Sequence, residues 1–270
     1  MTTDNNIENI FNGKKQQTKT APKKNEIQKA EGTENAPAWL TEYNSSDANM
    51  DIDQDDITIP RLKLIQSQTV EDFNGKPGEI VNMATGKNYG TSIEVIPVVQ
   101  WKSRVKFNDD FSVDCMSMDG RTSAFSDESF TCKQCENSKW GADRTPPACN
   151  LIYCYGVIPT EEIETGGEII PAVLSLMRSN TKTAKQLNAS LFSLSQQGKP
   201  IFARTIKIKS VERKFAKGKA FVLEAVIGRY ITLEEAKRLK MLSDQYKKAP
   251  SSVAPEVDQD EMRAIDDVPF

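Results

Sequence analysis

The chain has 270 residues, with 35 Lys and Arg against 38 Asp and Glu, a formal net charge of −3, and no histidine. Lack of histidine removes the commonest general base and metal ligand, which sets most hydrolase mechanisms aside. Five cysteines, an odd number, and the absence of an apolar leader argue against a secreted disulfide framework, and no apolar run reaches membrane-spanning length.

A soluble protein of a reducing compartment is therefore expected. Hydrophobic residues make up 38% of the chain, and mean hydropathy is −0.53. A composition this polar points to disordered ends around a folded body. The charge is uneven. Residues 1–50 carry six basic and seven acidic side chains, residues 51–248 carry 28 and 25, and residues 249–270 carry one and six. A mildly basic body is thus tethered to an acidic tail, and the whole-chain charge conceals this.

Residues 1–50, rich in Asn, Lys, Gln, Thr and Glu, are expected to form a disordered arm. Ala38-Trp39-Leu40 is either a docking motif or part of a solvated leader. The body, residues 51–248, opens on a strand-like stretch. There Ile57, Ile59, Leu62, Leu64 and Ile65 supply core, and Arg61 and Lys63 project between them. Turns follow at 74–78 and 83–86. Residues 91–107 predict a strand pair or one bent strand. Val99, Trp101, Val105 and Phe107 share one face, and Lys102, Arg104 and Lys106 the other. Three like charges in a row call for an anionic partner more than an ordinary sheet face does.

Between Cys115 and Cys149 the chain is poor in aliphatic residues and cannot bury a core of its own. Cys115, Cys132, Cys135 and Cys149 fall in this turn-rich stretch, with strand-like sequence on both sides. The C-x2-C spacing lets two sulfurs meet one ion from a tight turn, which predicts a structural zinc ion (Zn2+) held by four thiolates within a 112–150 insertion. The alternative is four reduced, buried thiols. Cys154 lies mid-strand and reads as a small core residue.

Beyond the cysteines, Tyr153 and Tyr155 share a strand face and suit either base stacking or a core. Residues 169–177 predict another strand. A helix follows from Asn180 to about Ser195, with Ala184, Leu187, Leu191 and Leu194 on its apolar face, and Gly198-Lys199-Pro200 ends it. Residues 201–228 form a hairpin. It carries Lys207 and Lys209 on one strand, and its expected turn, 213–219, holds Arg213, Lys214, Phe215, Lys217 and Lys219. Such a turn suits a phosphate backbone. A last helix is expected over 232–247, with Thr232 as its N-cap.

These pieces describe a mainly β protein with a few helices. Short strands, one helix between strands and a basic hairpin fit an oligonucleotide-binding (OB) type Greek-key barrel with an inserted four-cysteine zinc knuckle. That fold binds single strands with a cationic groove and stacking aromatics. The candidate cations are Lys102, Arg104, Lys106, Arg178, Lys207, Lys209, Arg213, Lys214 and Lys217. The candidate stackers are Trp101, Phe107, Trp140, Tyr153 and Tyr155.

The ending Asp266-Asp267-Val268-Pro269-Phe270 resembles the acidic tip of bacterial single-stranded DNA-binding proteins, which in that family recruits replication and repair partners. From Ile59-Pro60-Arg61-Leu62-Lys63-Leu64 onward, over roughly residues 55–245, the body is similar to phage-encoded single-stranded DNA-binding proteins. The helix-destabilising protein of T4-like phages also bears zinc in an insertion of such a barrel. Its ligands include a histidine, so only the principle carries over to this chain. The resemblance implies a protein of the infected bacterial cytoplasm that coats single-stranded DNA during phage replication or recombination. It would recruit partners through Asp266, Asp267, Val268, Pro269 and Phe270, and it leaves self-association along the strand open. Two other classes are weighed against it. An RNA-binding or transcription-regulating zinc module would share the basic sheet but gives no reason for the Pro-Phe tip. A magnesium-dependent nuclease would need a carboxylate constellation. Asp109, Asp110, Glu161 and Glu162 fall in expected loops and form none, so the protein is expected not to be an enzyme.

Overall fold

The computed structural model describes residues 60–246 except 68, 69, 71–74, 111, 126–130, 144, 165–168, 170, 216 and 217. The expected N-terminal arm, the core candidates Ile57 and Ile59, and the tail from 249 to Phe270 lie outside the described residues. The elements in chain order are β1 (Arg61–Leu64), β2 (Ile80–Asn82), β3 (Ser92–Phe107), β4 (Val113–Ser117) and β5 (Asn150–Pro159). Then come α1 (Thr160–Glu164), β6 (Ala172–Leu176), α2 (Thr181–Gln196), β7 (Arg204–Phe215), β8 (Gly218–Tyr230) and α3 (Leu233–Tyr246). Among the described residues no helix is long and apolar enough to cross a membrane.

The strands form one sheet, ordered β2-β1-β6-β5-β3-β7-β8, with β4 added beside β3. It curls into a half-barrel. Residues 91–107 are one bent strand. The start of β3 pairs with β7, its length from Val95 to Val105 pairs with β5, and its end pairs with β4. The β3–β5 register shifts between Pro97 and Val99. Pro97 has no N–H for a ladder, so an irregularity here is the natural place for the strand to bend.

Burial on both faces explains why β5 reads as a nearly continuous apolar run. On the inner face Tyr153, Tyr155 and Val157 meet Ile206, Ile208, Leu223 and the apolar stripe of α2 (Ala184, Leu187, Leu191 and Leu194). Alternation sends Ile152 and Cys154 to the other face, where they pack with Trp101, Val105, Val173 and Met177. A third cluster places Ile96, Val98 and Ile158 under Leu239 of α3.

The free edge of β8 is closed by side chains. The Gln66 carboxamide accepts from Phe221 N–H at 3.0 Å and donates to Phe221 C=O at 2.9 Å. Leu223 N–H donates to Asn180 Oδ1 and its carbonyl accepts from Thr183 Oγ1, both at 2.8 Å. Amide and hydroxyl groups from the chain after β1 and from the start of α2 thus replace a ladder partner. At the far end of the chain Thr232 caps α3. Its Oγ1 accepts from Glu235 N–H while the Glu235 carboxylate accepts from Thr232 N–H, a reciprocal capping box.

The hairpin differs from expectation. The β7–β8 ladder continues through Arg213↔Ala220 and Lys214↔Lys219 to Phe215↔Gly218. The expected seven-residue turn is therefore mostly strand, because a basic stretch pairs as readily as any other once its side chains reach solvent or acids.

Candidate nucleic-acid interface

A cleft of about 850 Å³ opens where the cysteine insertion, the start of α2 and the hairpin tip meet. Among the described residues its charged lining consists of Arg104, Arg178, Lys182 and Lys185, with no Asp or Glu, and its aromatic lining of Trp140, Phe215 and the largely buried Tyr153. Each residue arrives by a different route. Arg104 stands near the end of β3, opposite Leu151 of β5. Tyr153 lies two residues further along β5 on the same face. Lys182 and Lys185 are exposed at i and i+3 on α2, turned away from the buried stripe that includes Ala184 and Leu187. No acid occupies the first turn of α2, so the positive end of the helix dipole adds to these cations. Phe215 is the last residue of β7 before the hairpin tip. Trp140 is 58% exposed on the insertion.

Arg178 sits between β6 and α2 with φ 45°, the left-handed region that side-chain-bearing residues rarely occupy. Its Nε donates to Asn150 Oδ1 at 3.1 Å. Arg104 Nε donates to Gly120 C=O at 3.2 Å.

The other expected cations lie elsewhere. Lys102 is exposed beside the cleft, with its ammonium 5.6 Å from the centre of the Tyr153 ring. Lys106 bonds Asp114 at 2.6 Å, which raises its pKa. Lys207 and Lys209 point to the outer face of the sheet, because Ile206 and Ile208 between them face the core. Acids share that face. Lys207 stands 3.9 Å from Glu94, Lys209 pairs in register with Glu224, and Arg213 bonds Glu224 at 2.7 Å. Lys214 is exposed near the hairpin tip. Lys217 lies outside the described residues.

Among the expected stackers, Tyr155 is fully buried and its hydroxyl donates to Asn188 Oδ1 at 2.8 Å. Its burial pushes its pKa up. Trp101 is buried in the outer cluster, and Phe107 packs against it. The cleft therefore gathers Arg104, Arg178, Trp140 and Tyr153 from the expected set and adds Lys182, Lys185 and Phe215. A sequence signal for the two lysines exists: residues 180–197 contain no acid, and both fall on the non-apolar face of the expected helix.

The insertion holds four of the cysteines. Cys115 lies on β4, opposite Lys106. Cys132 and Cys135 flank a turn in which Gln134 N–H bonds Thr131 C=O, and Ser138 Oγ bonds both Cys132 C=O at 2.6 Å and Cys135 C=O at 2.8 Å. Cys149 N–H bonds Asn137 C=O. Cys132 and Cys149 are buried, and burial pushes the Cys149 thiol pKa up. Cys154 is separate, buried with its sulfur 3.4 Å from Ser103 Oγ. All five thiols are free. Four thiols in one turn-rich module are a donor set that suits zinc. As placed, however, no three Cys, Asp or Glu side chains among the described residues are gathered closely enough to hold an ion.

Fold and site together define a curled half-barrel protein with a basic, aromatic-lined cleft that no acid lines among the described residues. The chain belongs to the family described as Pam3 phage gp34-like protein, whose model matches residues 28–251. That description names a phage protein and states no activity. No curated protein and no solved structure matches the chain.

Proposed function

We propose that this phage-family protein binds single-stranded DNA through the cleft, with little sequence selectivity, during replication or recombination in the infected host. The observation that carries the reading is the cleft lining, which among the described residues has four cations, three aromatics and no acid. Cations along a backbone path and rings for bases are what sequence-tolerant single-strand binding requires. The volume falls within the roughly 300–1,000 Å³ of ligand clefts.

The connectivity supports an OB-type barrel. β3 is a long bent strand that pairs with both β5 and β7, β5 leads to β6, α2 joins β6 to β7, and β7 and β8 form a hairpin. In that reading the cysteine insertion occupies the connection between the first two barrel strands, and β1 with Gln66 stands where the barrel would close. Cys115, Cys132, Cys135 and Cys149 would bind a structural zinc once their side chains turn inward. Four thiolates leave no open position, so the ion would stabilise the insertion without doing chemistry. The acidic ending, Asp266 to Phe270, would recruit replication and repair partners.

Fluorescence anisotropy with oligo-dT, a duplex and an RNA of equal length tests the reading at about 100 mM salt. At least tenfold tighter binding of the DNA single strand than of the duplex is expected. Equal affinities would refute it, and preference for RNA would favour an RNA-binding module.

A further inference from the structure

We infer that Asn150 is a positioning residue for the cleft: from the start of β5, where the cysteine insertion returns to the sheet, it holds Arg178 in place. The inference rests on the single-strand reading above and assigns a task within that site.

Both cleft arginines are tied to the insertion, and the two cleft lysines project from α2. Arg104 Nε is bonded to the carbonyl of Gly120, inside the insertion. Arg178 Nε is bonded to Oδ1 of Asn150, the residue directly after Cys149, where the insertion returns to the sheet. Asn150 is itself buried and paired in register with Val105 of β3, so the sheet fixes the backbone that carries its acceptor oxygen. Nε is the inner nitrogen of the guanidinium fork, and a bond there sets the plane in which the two terminal nitrogens lie. The left-handed backbone at Arg178 points the same way. An L residue adopts that conformation only where its surroundings enforce it, and such positions cluster at functional sites. Lys182 and Lys185 are exposed on a helix that packs through its opposite face, so their placement needs no insertion.

The test is oligo-dT binding across a salt series for Asn150→Ala, Arg178→Ala, the double variant, and Asn150→Ala combined with Lys182→Ala. One lost phosphate contact is about fivefold in affinity at 0.1 M salt on a single strand, so Arg178→Ala should bind about fivefold weaker and Asn150→Ala about two- to fivefold weaker. The Asn150/Arg178 double variant should bind no more weakly than Arg178→Ala alone, whereas the losses from Asn150→Ala and Lys182→Ala should multiply. A general structural role for Asn150 would weaken binding equally in every background. An unaltered affinity for Asn150→Ala, or an undiminished loss in the Arg178→Ala background, overturns the inference. Should Asn150→Ala fail to fold, Arg178→Lys reads the same bond from the other end. It keeps the charge and removes Nε, and it should bind at least twofold weaker, with wild-type affinity overturning the inference. Wild-type protein that binds no single strand refutes the underlying reading, and the coupling with it.

Discussion

The charge lining of the cleft makes a prediction with a slope. Each cation that meets a phosphate releases a condensed counterion, and on a single strand log affinity falls with log salt by about 0.7 per contact. Arg104, Arg178, Lys182 and Lys185 together give a slope of about −2.8, or roughly a 50-fold loss of affinity between 50 and 200 mM salt. Lys182 and Lys185 are the pair to remove, because both are exposed on α2 and their loss disturbs no core contact. The variant Lys182→Ala/Lys185→Ala should show a slope of about −1.4 and lose only about sevenfold over the same range. The matched control is Lys207→Ala/Lys209→Ala. It removes the same charge from the outer face, where Glu94 and Glu224 stand nearby, and it should leave the slope unchanged. Anisotropy titrations with oligo-dT at four salt concentrations read both. An unaltered slope after loss of Lys182 and Lys185 refutes the cleft as the strand path. A flattened slope in the control would move the path to the outer face of the sheet.

Protein purified without chelator should contain one zinc per chain; Cys132→Ser should lose it and Cys154→Ser retain it, and metal analysis showing none in the wild type refutes the site. Arg178→Gly should change stability by less than about 1 kcal/mol, because relief of the left-handed backbone offsets the lost bond to Asn150, while weakening DNA binding, a combination that urea melts and anisotropy would read together. Gln66→Ala should cost about 2–4 kcal/mol, because it leaves both backbone groups of Phe221 without their partner on the closing edge; a loss below about 1 kcal/mol in denaturant titration would refute side-chain closure. Bonds from the Arg229 guanidinium first, then from the Thr232 amide, hold the buried Glu235 carboxyl at about 2, below its ordinary 4.5. A depressed carboxylate contributes stability above its unfolded pKa and loses it as pH falls through the folded one. About 3 kcal/mol should therefore disappear between about pH 4.5 and 2, and Glu235→Gln should flatten that limb of the pH–stability curve.

The sequence was readable where one periodicity governed one element. α2 follows its apolar stripe and ends before Gly198, which takes φ 68° as a helix stop requires. α3 begins after Thr232, as its N-cap predicted. β3 was legible as strand, and the row of Lys102, Arg104 and Lys106 does share a face, but their destinations were not legible. One ends over an aromatic ring, one on a carbonyl and in the cleft, and one on Asp114. Period two fixes a side chain's face, not what the next strand brings opposite it. The same limit applies to the hairpin. Lys207 and Lys209 are the exposed row that the alternation predicts, and β3 and β8 place Glu94 and Glu224 on the same face, which the alternation does not show. Tyr153 and Tyr155 show the reverse. Two residues apart on one strand face and both buried in the core, one also lines the cleft while the hydroxyl of the other bonds α2.

What separates the cleft from the other described basic stretches is a lining without acids among the described residues, and that lining is a property of topology. The body holds nearly balanced charge, and several cations outside the cleft have a carboxylate across a ladder or one turn away, as Lys106, Lys139, Lys207, Arg213 and Lys219 do. Such pairs are exposed and contribute little to stability, but they cancel the field that would attract a polyanion. The cleft keeps its field because its four cations come from three separate places in the chain: the end of β3, the β6–α2 connection and the first turns of α2. Acids that neighbour these cations in sequence, such as Asp109 and Asp110, do not line the cleft. Among the described residues a single strand entering the cleft would meet four cations and no lining acid, on a protein whose net charge is −3. Whole-chain charge therefore does not describe the field inside the cleft, which its local lining sets.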